Sequence, residues 1–286
     1  MIKECMNPEV YVVAPQETIA RARNLMLKHG IGRLVVIEDD EPIGIVTKED
    51  IAKRLSQAEP IWRRRPIDDV PVRIVMTENP LTIPHETSAA EAAEMMLENG
   101  ISSMLVVKED DGKRKLVGIV TKQDLIRHYS KKTYDTKVAE IMETDIVTVN
   151  RHHTIDHVLC EMEEKSVGTV VVMDEENPIG LISSDSIVFA DFLHRDSPEK
   201  EVKMARKDST GGRRSYRYVR EVPLVAEDIM APIDKTITSD ALAVDAAKMM
   251  VSMKTKSLLV IDDTLVGIVE SDGILKDIVK KDAIRR

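Results

Sequence analysis

Cysteine and aromatic residues are both scarce in this sequence. Of the 286 residues only two are cysteines, Cys5 and Cys160, and only 3% are aromatic. Two cysteines without CxxC or metal-ligand spacing exclude a disulfide-stapled scaffold and favour a reducing, cytoplasmic compartment. With so few rings, the core must be aliphatic. Cys160 lies on the predicted apolar face of a helix, which favours a core position over a nucleophile.

Long apolar runs and catalytic motifs are also missing. No segment approaches the roughly 18 apolar residues of a membrane-spanning helix, and the opening MIKECMNPEV lacks the apolar centre of a signal peptide. The sequence has no GxSxG, Walker or HExxH motif. His152 and His153 are adjacent, which is typical of a surface loop rather than a metal site. We therefore expect no enzyme, no metal and no membrane contact.

The charge balance is acidic. The net charge is -9 with 32% charged and 43% hydrophobic residues, which is typical of a well-solvated globular protein. This balance excludes a uniformly basic coat for nucleic acid, although local basic segments can still bind a polyanion.

The sequence does contain a fourfold repeat. The heptapeptides GIVTKED (44–50) and GIVTKQD (118–124) are nearly identical, and GLISSDS (180–186) and GIVESDG (267–273) are weaker copies. Each follows a segment that begins with a methionine, and these methionines are 70, 66 and 88 residues apart: Met6, Met76, Met142 and Met230. Recurrence at this period indicates four homologous units in one chain.

The second repeat shows the pattern of one unit. PLTIP is a short strand, and Ser88 with Glu91 predicts a capping box that opens a helix ending at Asn99-Gly100. ISSMLVV and LVGIV are strands, and TKQDLIRHY begins a second helix, so the order is β-α-β-β-α. The first repeat has the same order with Thr18 as the cap, and the third and fourth repeats have weaker caps.

The length of the repeats predicts that they pair. A unit of about 65 residues buries too little surface to be stable alone, while 286 residues predict about two domains of roughly 150 residues. We place the units at 1–56, 70–130, 136–195 and 223–282, with a basic insert at 196–222.

The repeated heptapeptide stands where a strand ends and a helix begins, and two interpretations of it stay open. Thr47 at the N-cap and Asp50 at the third helical position predict a capping box. The same geometry suits a nucleotide, because free amides at a helix N-terminus attract phosphate and a carboxylate one turn later accepts from ribose hydroxyls.

The combination of MTENPLTI, GIxxxLVV and GIVTKxD in a β-α-β-β-α unit resembles the CBS domain. Four such units resemble two Bateman modules, as in the gamma subunits of AMP-activated protein kinase and in stand-alone archaeal and bacterial CBS proteins. The resemblance implies an α/β fold with the units paired around pseudo-twofold axes in a flat disc. It also implies an adenosine ligand (AMP, ADP, ATP or S-adenosylmethionine) between paired units, and neither a catalytic residue nor a catalytic cofactor.

Carried onto this sequence, the resemblance implies a set of nucleotide-binding residues in the first two repeats: Thr47, Asp50, Thr121, Asp124, Arg33 and Thr82. The later repeats depart from the pattern, because they lack the carboxylate and, in the fourth, place an acid at the phosphate position: Ser183 and Ser186, then Glu270 and Gly273. Only the first repeat has an arginine at the start of its middle strand. We therefore expect the second pair to be degenerate for nucleotide binding.

Two basic segments lie between units. IWRRRP contains Arg63, Arg64 and Arg65, and residues 203–220 carry a charge of +6 within a chain of net charge -9. In the second segment, arginines stand among two tyrosines: Arg213, Arg214, Arg217 and Arg220 with Tyr216 and Tyr218. Either these are solvated connectors that pair with acidic surface, or they contact a polyanion through phosphate and stacking interactions.

Two function classes follow. The first is a stand-alone sensor of an adenosine nucleotide that passes its ligand state to a separate effector, since no effector is fused to the units. The second is an RNA- or ribosome-binding factor that uses the same scaffold and its basic loops. A homodimer is compatible with both.

Overall fold

The computed structural model describes residues 1–39, 41–48, 50–51, 69–110, 113–183, 186–187, 201–205, 215–219 and 224–284. The chain forms two compact bodies. The larger body comprises residues 1–146 and 234–286, and the smaller body comprises residues 147–233. The larger body thus holds the first two repeats and most of the fourth, and the smaller body holds most of the third. Within the described part of the chain, no helix is both long and apolar enough to cross a bilayer.

The first two repeats have matching elements. The first contains β1 (Val12–Val13), α1 (Ile19–His29), β2 (Arg33–Glu38) and β3 (Glu41–Thr47). The second contains β4 (Thr77–Glu78), β5 (Thr82–Pro84), α2 (Ala89–Glu98), β6 (Ser103–Asp110), β7 (Lys113–Thr121) and α3 (Lys122–Tyr129). In each, the strand just before the helix (β1 or β5) is parallel to the middle strand (β2 or β6). The middle strand pairs antiparallel with the last strand (β3 or β7).

The later repeats follow the same plan. The third contains β8 (Thr148–Asn150), α4 (Ile155–Lys165), β9 (Thr169–Asp174) and β10 (Asn177–Ser183). After it come β11 (Glu201–Ala205), β12 (Ser215–Val219), α5 (Ala226–Ile229) and β13 (Ala231–Pro232). The fourth contains α6 (Ala243–Met253), β14 (Ser257–Ile261), β15 (Leu265–Glu270) and α7 (Ser271–Ala283). The predicted α/β class with four repeated units is confirmed, and the second repeat shows the full β-α-β-β-α order. Most of the closing helix predicted for the first repeat, TKEDIAKRL, lies outside the described residues.

Local sequence signals set the helix ends. The hydroxyl of Thr18 accepts from the Arg21 amide at 3.3 Å, and Ser88 and Glu91 form the predicted capping box with two 3.0 Å bonds. Gly100 follows the end of α2 in the left-handed region at φ 60°, where glycine has no steric penalty. In the fourth repeat, α6 begins without any side-chain cap, as its weaker sequence signal predicted.

The leading segment of each repeat in the first pair lies on the sheet of the other repeat. Asn7 and Ile119 exchange two backbone hydrogen bonds of 2.8 and 2.9 Å, and β4 pairs with β3. If Gly118 carried a Cβ, that atom would lie 2.8 Å from Met6 Sδ. A Cβ on Gly44 would likewise lie 2.7 Å from Met76 Sδ. This reciprocal exchange is the pseudo-twofold pairing that the repeat predicted.

The same contact recurs in the other repeats. Within the larger body, Met142 packs onto Gly267, and within the smaller body Met230 packs onto Gly180. All four repeating methionines therefore occupy space that a glycine leaves free. The sequence period of methionine and glycine reflects this packing.

We expect Gly180→Ala to destabilise the smaller body by about 1–3 kcal/mol, the usual cost of overpacking. Three Met230 atoms lie within 2.9 Å of the position of the new methyl group, and one of them is its Cβ, which side-chain rotation cannot move away. Thermal unfolding should show the loss. Gly168→Ala is the control, because no atom lies within 4 Å of its added Cβ. Equal midpoints for the two variants would refute this account of the glycine.

The largest core joins the second and fourth repeats through helices. α2 packs on α7, and α3 packs on both α6 and α7. The contacting faces are rich in alanine, including Ala92, Ala93, Ala246 and Ala247, which are fully buried. Small side chains let helices approach closely, so these four helices form one continuous core within the larger body.

A buried polar cluster lies in this helical core. Asp277 is only 3% exposed. It accepts hydrogen bonds from the Tyr129 hydroxyl at 2.5 Å and the Thr136 hydroxyl at 3.2 Å. A buried carboxylate is costly unless its oxygens are satisfied, so these two donors make the position tolerable. Burial, followed by the hydrogen bond to Asp277, raises the pKa of Tyr129, which keeps the hydroxyl protonated as a donor.

Two features differ from the sequence-based expectations. The basic insert contains a hairpin, because β11 pairs antiparallel with β12 over five residue pairs, where no strand was predicted. Cys160 is exposed, so its predicted core position is wrong. The buried residues of α4 are Val158 and Met162. Cys160 stands two residues from each, which places it on the opposite side of a helix.

Candidate functional site

Each repeat ends its last strand beside the start of its middle strand. Arg33 is the cross-strand partner of Thr47, and Ser103 is the partner of Thr121. In the later repeats, the same register pairs Thr169 with Ser183 and Ser257 with Glu270. The structure therefore brings Arg33 to the predicted phosphate position of the first repeat, where the other repeats have a neutral hydroxyl.

The Thr-x-x-Asp turns are capping boxes in both of the first two repeats. The Thr47 hydroxyl and amide donate to Asp50 Oδ2 at 2.7 and 2.8 Å, and the Asp50 amide donates back at 3.1 Å. The Thr121 hydroxyl and amide likewise donate to Asp124 Oδ2 at 2.6 and 3.0 Å. The capping interpretation is thus confirmed. It uses one oxygen of each carboxylate and leaves the other able to accept from a ligand without loss of the cap.

The second oxygen of Asp124 has a partner within its own helix. Arg127 Nη1 lies 2.6 Å from Asp124 Oδ1. The arginine is 49% exposed and the aspartate 11%, and an i,i+3 ion pair along one helix contributes only about 0.2–0.5 kcal/mol. A ligand hydroxyl can therefore replace or join this contact at small cost.

The polar pairs lie on the sheet faces that meet between the first and second repeats. Side chains alternate along a strand, so Arg33 shares a face with Val35, and Ser103 shares a face with Leu105. Val35, Leu105 and Ile119 form a small buried cluster between the two sheets. The predicted site residues of the two repeats therefore flank one apolar contact.

Thr82 lies on the same face. It pairs in parallel with Leu105, and paired residues of neighbouring strands point to the same side. Its counterpart in the first repeat is Val12, which pairs with Val35 and remains 46% exposed. The sequence had indicated Thr82 only through its position in the repeat, and the register now places it opposite Leu105, on the face of the sheet that also carries Ser103.

Cys5 is a neighbour of the second turn that sequence reasoning missed. Burial raises the pKa of the Cys5 thiol; the N-terminal ammonium opposes this rise, and the carboxylate of Asp124 adds to it. The backbone exchange between Asn7 and Ile119 brings the leading segment of the first repeat onto the strand that ends at this turn. The signal was available, because Cys5 directly precedes the repeating Met6 that packs on Gly118.

The turn of the third repeat has no carboxylate. The hydroxyls of Ser183 and Ser186 are 3.0 Å apart, and the Ser186 amide donates to Ser183 at 3.3 Å. The serines reproduce half of the capping box and offer no charge for ribose hydroxyls.

The fourth repeat differs more strongly. Glu270 precedes α7 and makes no capping bond through its side chain. A Cβ on Gly273, the position of the aspartate in the first two repeats, would stand 2.3 Å from the backbone oxygen of Ile141. The chain itself occupies the volume that an aspartate side chain needs, which explains why glycine stands there.

Most of the basic candidates lie outside the described residues: Arg63, Arg64, Arg65, Arg213, Arg214 and Arg220. Arg217 lies in β12. Among the residues that the structure describes, no group of three or more His, Cys, Asp or Glu side chains is placed to hold a metal ion.

Comparison with known proteins gives a family and a fold. The family model described as CBS domain matches four segments: residues 2–57, 68–131, 138–192 and 225–280. The chain is 26% identical to the uncharacterized protein MJ1404 of Methanocaldococcus jannaschii over 96% of its own length. It is 35% identical to the uncharacterized protein MK0525 of Methanopyrus kandleri over 44% of its own length. The chain covers 61% of each of these two relatives.

Solved structures share the whole architecture. The crystal structure of MJ1225 from Methanocaldococcus jannaschii, described as a proposed archaeal homologue of γ-AMPK, has a TM-score of 0.73 at 21% identity. It aligns with 96% of this chain and 99% of its own. An uncharacterized conserved protein from Pyrococcus horikoshii has a TM-score of 0.63 at 17% identity, over 97% of this chain and 99% of its own. At these identities the likeness shows the fold alone.

Proposed function

The chain belongs to the CBS domain family, and on this premise we propose that it is a non-catalytic regulatory protein that senses an adenosine nucleotide between its first and second repeats. The observation that carries the proposal is the repeated turn in which Thr47 with Asp50, and Thr121 with Asp124, combine a helix N-terminus, a hydroxyl and a carboxylate. The two turns flank one contact between paired sheets, so one ligand can bind at each.

The chemistry of the turn suits a nucleotide. The free amides and partial positive charge of the helix N-terminus favour phosphate. The threonine hydroxyl now donates to its aspartate; when phosphate binds, it rotates to donate there, and ribose hydroxyls replace it on the carboxylate. Each acceptor oxygen thus keeps a hydrogen-bond donor with and without the ligand, which lowers the free-energy cost of binding.

Arg33 makes the two turns unequal. It stands across from Thr47, while Ser103 stands across from Thr121. A guanidinium at this place adds a charge-assisted hydrogen bond to a phosphate. We therefore propose that the first repeat prefers the more negatively charged nucleotides.

Regulation requires that the ligand favours one arrangement of the repeats over another. The crossed segments around Met6 and Met76 connect each repeat to the sheet of its partner. A ligand between the sheets therefore acts on both. We propose that a separate protein reads this arrangement.

The test is to identify small molecules released from the purified protein by mass spectrometry, followed by calorimetric titration with AMP, ADP and ATP. Recovery of an adenosine compound, and saturable binding of at least one nucleotide, is the expected result. A protein that carries none and binds none contradicts the proposal. S-adenosylmethionine belongs in the same titration, because it presents the same ribose diol without a phosphate.

A second candidate function is binding to RNA or a ribosome. The observation that favours it is the +6 charge of residues 203–220 in a chain of net charge -9, in a segment that forms the hairpin β11–β12. Contacts to phosphate would make such binding fall steeply with salt, whereas a small-ligand site between sheets would not respond in this way.

We expect that changing Arg213, Arg214 and Arg217 together to serine lowers RNA or ribosome association and reduces its salt slope. Nucleotide binding should not change, because the Thr-Asp turns lie elsewhere in the chain. Sedimentation with ribosomes at several salt concentrations measures the effect. The control removes the same charge from exposed positions on α1 and α6, by serine at Arg21, Lys28 and Lys248. If both triple variants and the wild type co-sediment alike, the insert is a connector.

A further inference from the structure

The first turn of α3 has two sides with different partners. Thr121 and Asp124 form one side, which belongs to the proposed site of the second repeat. Lys122 and Gln123 form the other and contact the fourth repeat. Lys122 Nζ lies 2.5 Å from Asp272 Oδ1, and Gln123 Nε2 donates to the backbone oxygen of Met250 at 3.4 Å. A single helical turn therefore links the proposed site to α6 and α7.

The link is partly shielded from water. The side chain of Lys122 is 18% exposed and that of Asp272 is 41% exposed, so their attraction is screened less than that of a surface pair. At the other end of α3, Tyr129 donates to the buried Asp277 of α7. The fourth repeat thus holds α3 at both ends, and rotation or sliding of the helix would break contacts at each.

The fourth repeat cannot use the equivalent turn for a ligand of its own. The Ile141 backbone fills the space beside Gly273, and Glu270 places a negative charge where a phosphate would lie. Asp272, which lies in the same turn, instead pairs with Lys122 of α3. In the fourth repeat, the turn that corresponds to the proposed ligand-binding turn therefore supports the site of the second repeat.

We infer that Lys122 and Gln123 are positioning residues of the second repeat's site, and that the fourth repeat is an integral part of that site. This inference rests on the proposed function. Anchoring the first turn of α3 fixes the Thr121 hydroxyl and the Asp124 carboxylate in place before the ligand binds, which reduces the ordering cost of binding. By linkage, a ligand in the second repeat must in turn act on α7.

The experiment isolates one site at a time. In an Asp50→Ala background, AMP binding reports the second repeat, and in an Asp124→Ala background it reports the first. Asp272→Asn should weaken AMP binding by about three- to tenfold in the first background and leave it unchanged in the second. A loss in both backgrounds indicates general destabilisation and overturns the inference.

Asp245→Asn is the matched control. It removes an aspartate that pairs with Lys248 at 2.8 Å on the exposed side of α6, in the same repeat but away from α3. AMP affinity should not change in either background. Exchanging the charges, by Lys122→Glu together with Asp272→Lys, should restore most of the affinity that Asp272→Asn loses, since the attraction is re-formed.

Amide hydrogen exchange supplies a readout that needs no ligand. Asp272→Asn should speed exchange in the first turn of α3 relative to Asp245→Asn, and AMP added to the wild type should slow exchange in α7. The outcomes separate the two proposals. If AMP, ADP and ATP all fail to bind the wild type, the nucleotide function itself is wrong and the inference falls with it. If AMP binds with equal affinity with and without Asp272, only the positioning role is wrong.

Discussion

Asp50→Ala and Asp124→Ala each weaken nucleotide binding at their own repeat by about 1–3 kcal/mol, the scale of losing a charged hydrogen-bond acceptor. Each aspartate has one oxygen engaged by its threonine and a second that can accept from ribose. Alanine removes both acceptors, so the ribose hydroxyls would lose their partner on leaving water. Calorimetric titration with AMP measures the effect, and the double variant should bind almost nothing.

The same substitutions also remove a helix cap, which costs about 0.5–2 kcal/mol of stability. Thermal unfolding must therefore accompany each titration. Ser186→Ala is the control, because it removes the corresponding half-cap in the third repeat and should leave AMP binding unaffected. If the aspartate variants lose stability but bind AMP as tightly as the wild type does, the turns serve only as capping boxes.

Gly273→Ala lowers the stability of the larger body by about 1–3 kcal/mol, toward the upper end of the range for overpacking. The new methyl group would stand 2.3 Å from the Ile141 backbone oxygen. This atom belongs to the main chain, so no side-chain rotation relieves the clash. Gly273→Asp, which restores the motif of the first two repeats, should be worse still and should create no nucleotide site.

Gly32→Ala is the control for this prediction, since no atom lies within 4 Å of a Cβ at Gly32. It should be neutral or slightly stabilising, because alanine reduces the entropy of the unfolded chain. Thermal unfolding of the three variants under one condition decides the matter. A wild-type midpoint for Gly273→Ala would show that Ile141 moves aside easily, and the fourth repeat would again be a candidate site.

Most of the fold could be predicted from the sequence because its signals are local. The helix α2 begins at the capping box of Ser88 and Glu91 and ends at Asn99 and Gly100. These contacts join residues at most four positions apart. The repeat of methionine and glycine was visible as a period, although its meaning, a side chain filling the space above a glycine, needed the structure.

The residues of the proposed site could be predicted from the sequence, but their arrangement could not. The Thr-x-x-Asp pattern placed Thr121 and Asp124 on one turn, and the strand register of the structure places Arg33 opposite Thr47. The obstruction of Gly273 by Ile141 involves residues 132 positions apart, and Lys122 meets Asp272 across 150 positions. Such contacts depend on how repeats pack, which no pattern within one repeat encodes.

The alanine-rich faces of α2 and α6 suggest how such a chain arose. A two-repeat ancestor with a face like that of α2 and α3 would have had to cover it with a second copy of itself, as a symmetric dimer. Duplication and fusion placed the covering face in the same chain, so the two halves no longer had to remain identical. Under the proposed function, glycine at position 273 and glutamate at position 270 are acceptable in one half because the other half retains the Thr-x-x-Asp turns. The space closed beside Gly273 and the contact between Lys122 and Asp272 would then be two results of the same divergence between the halves.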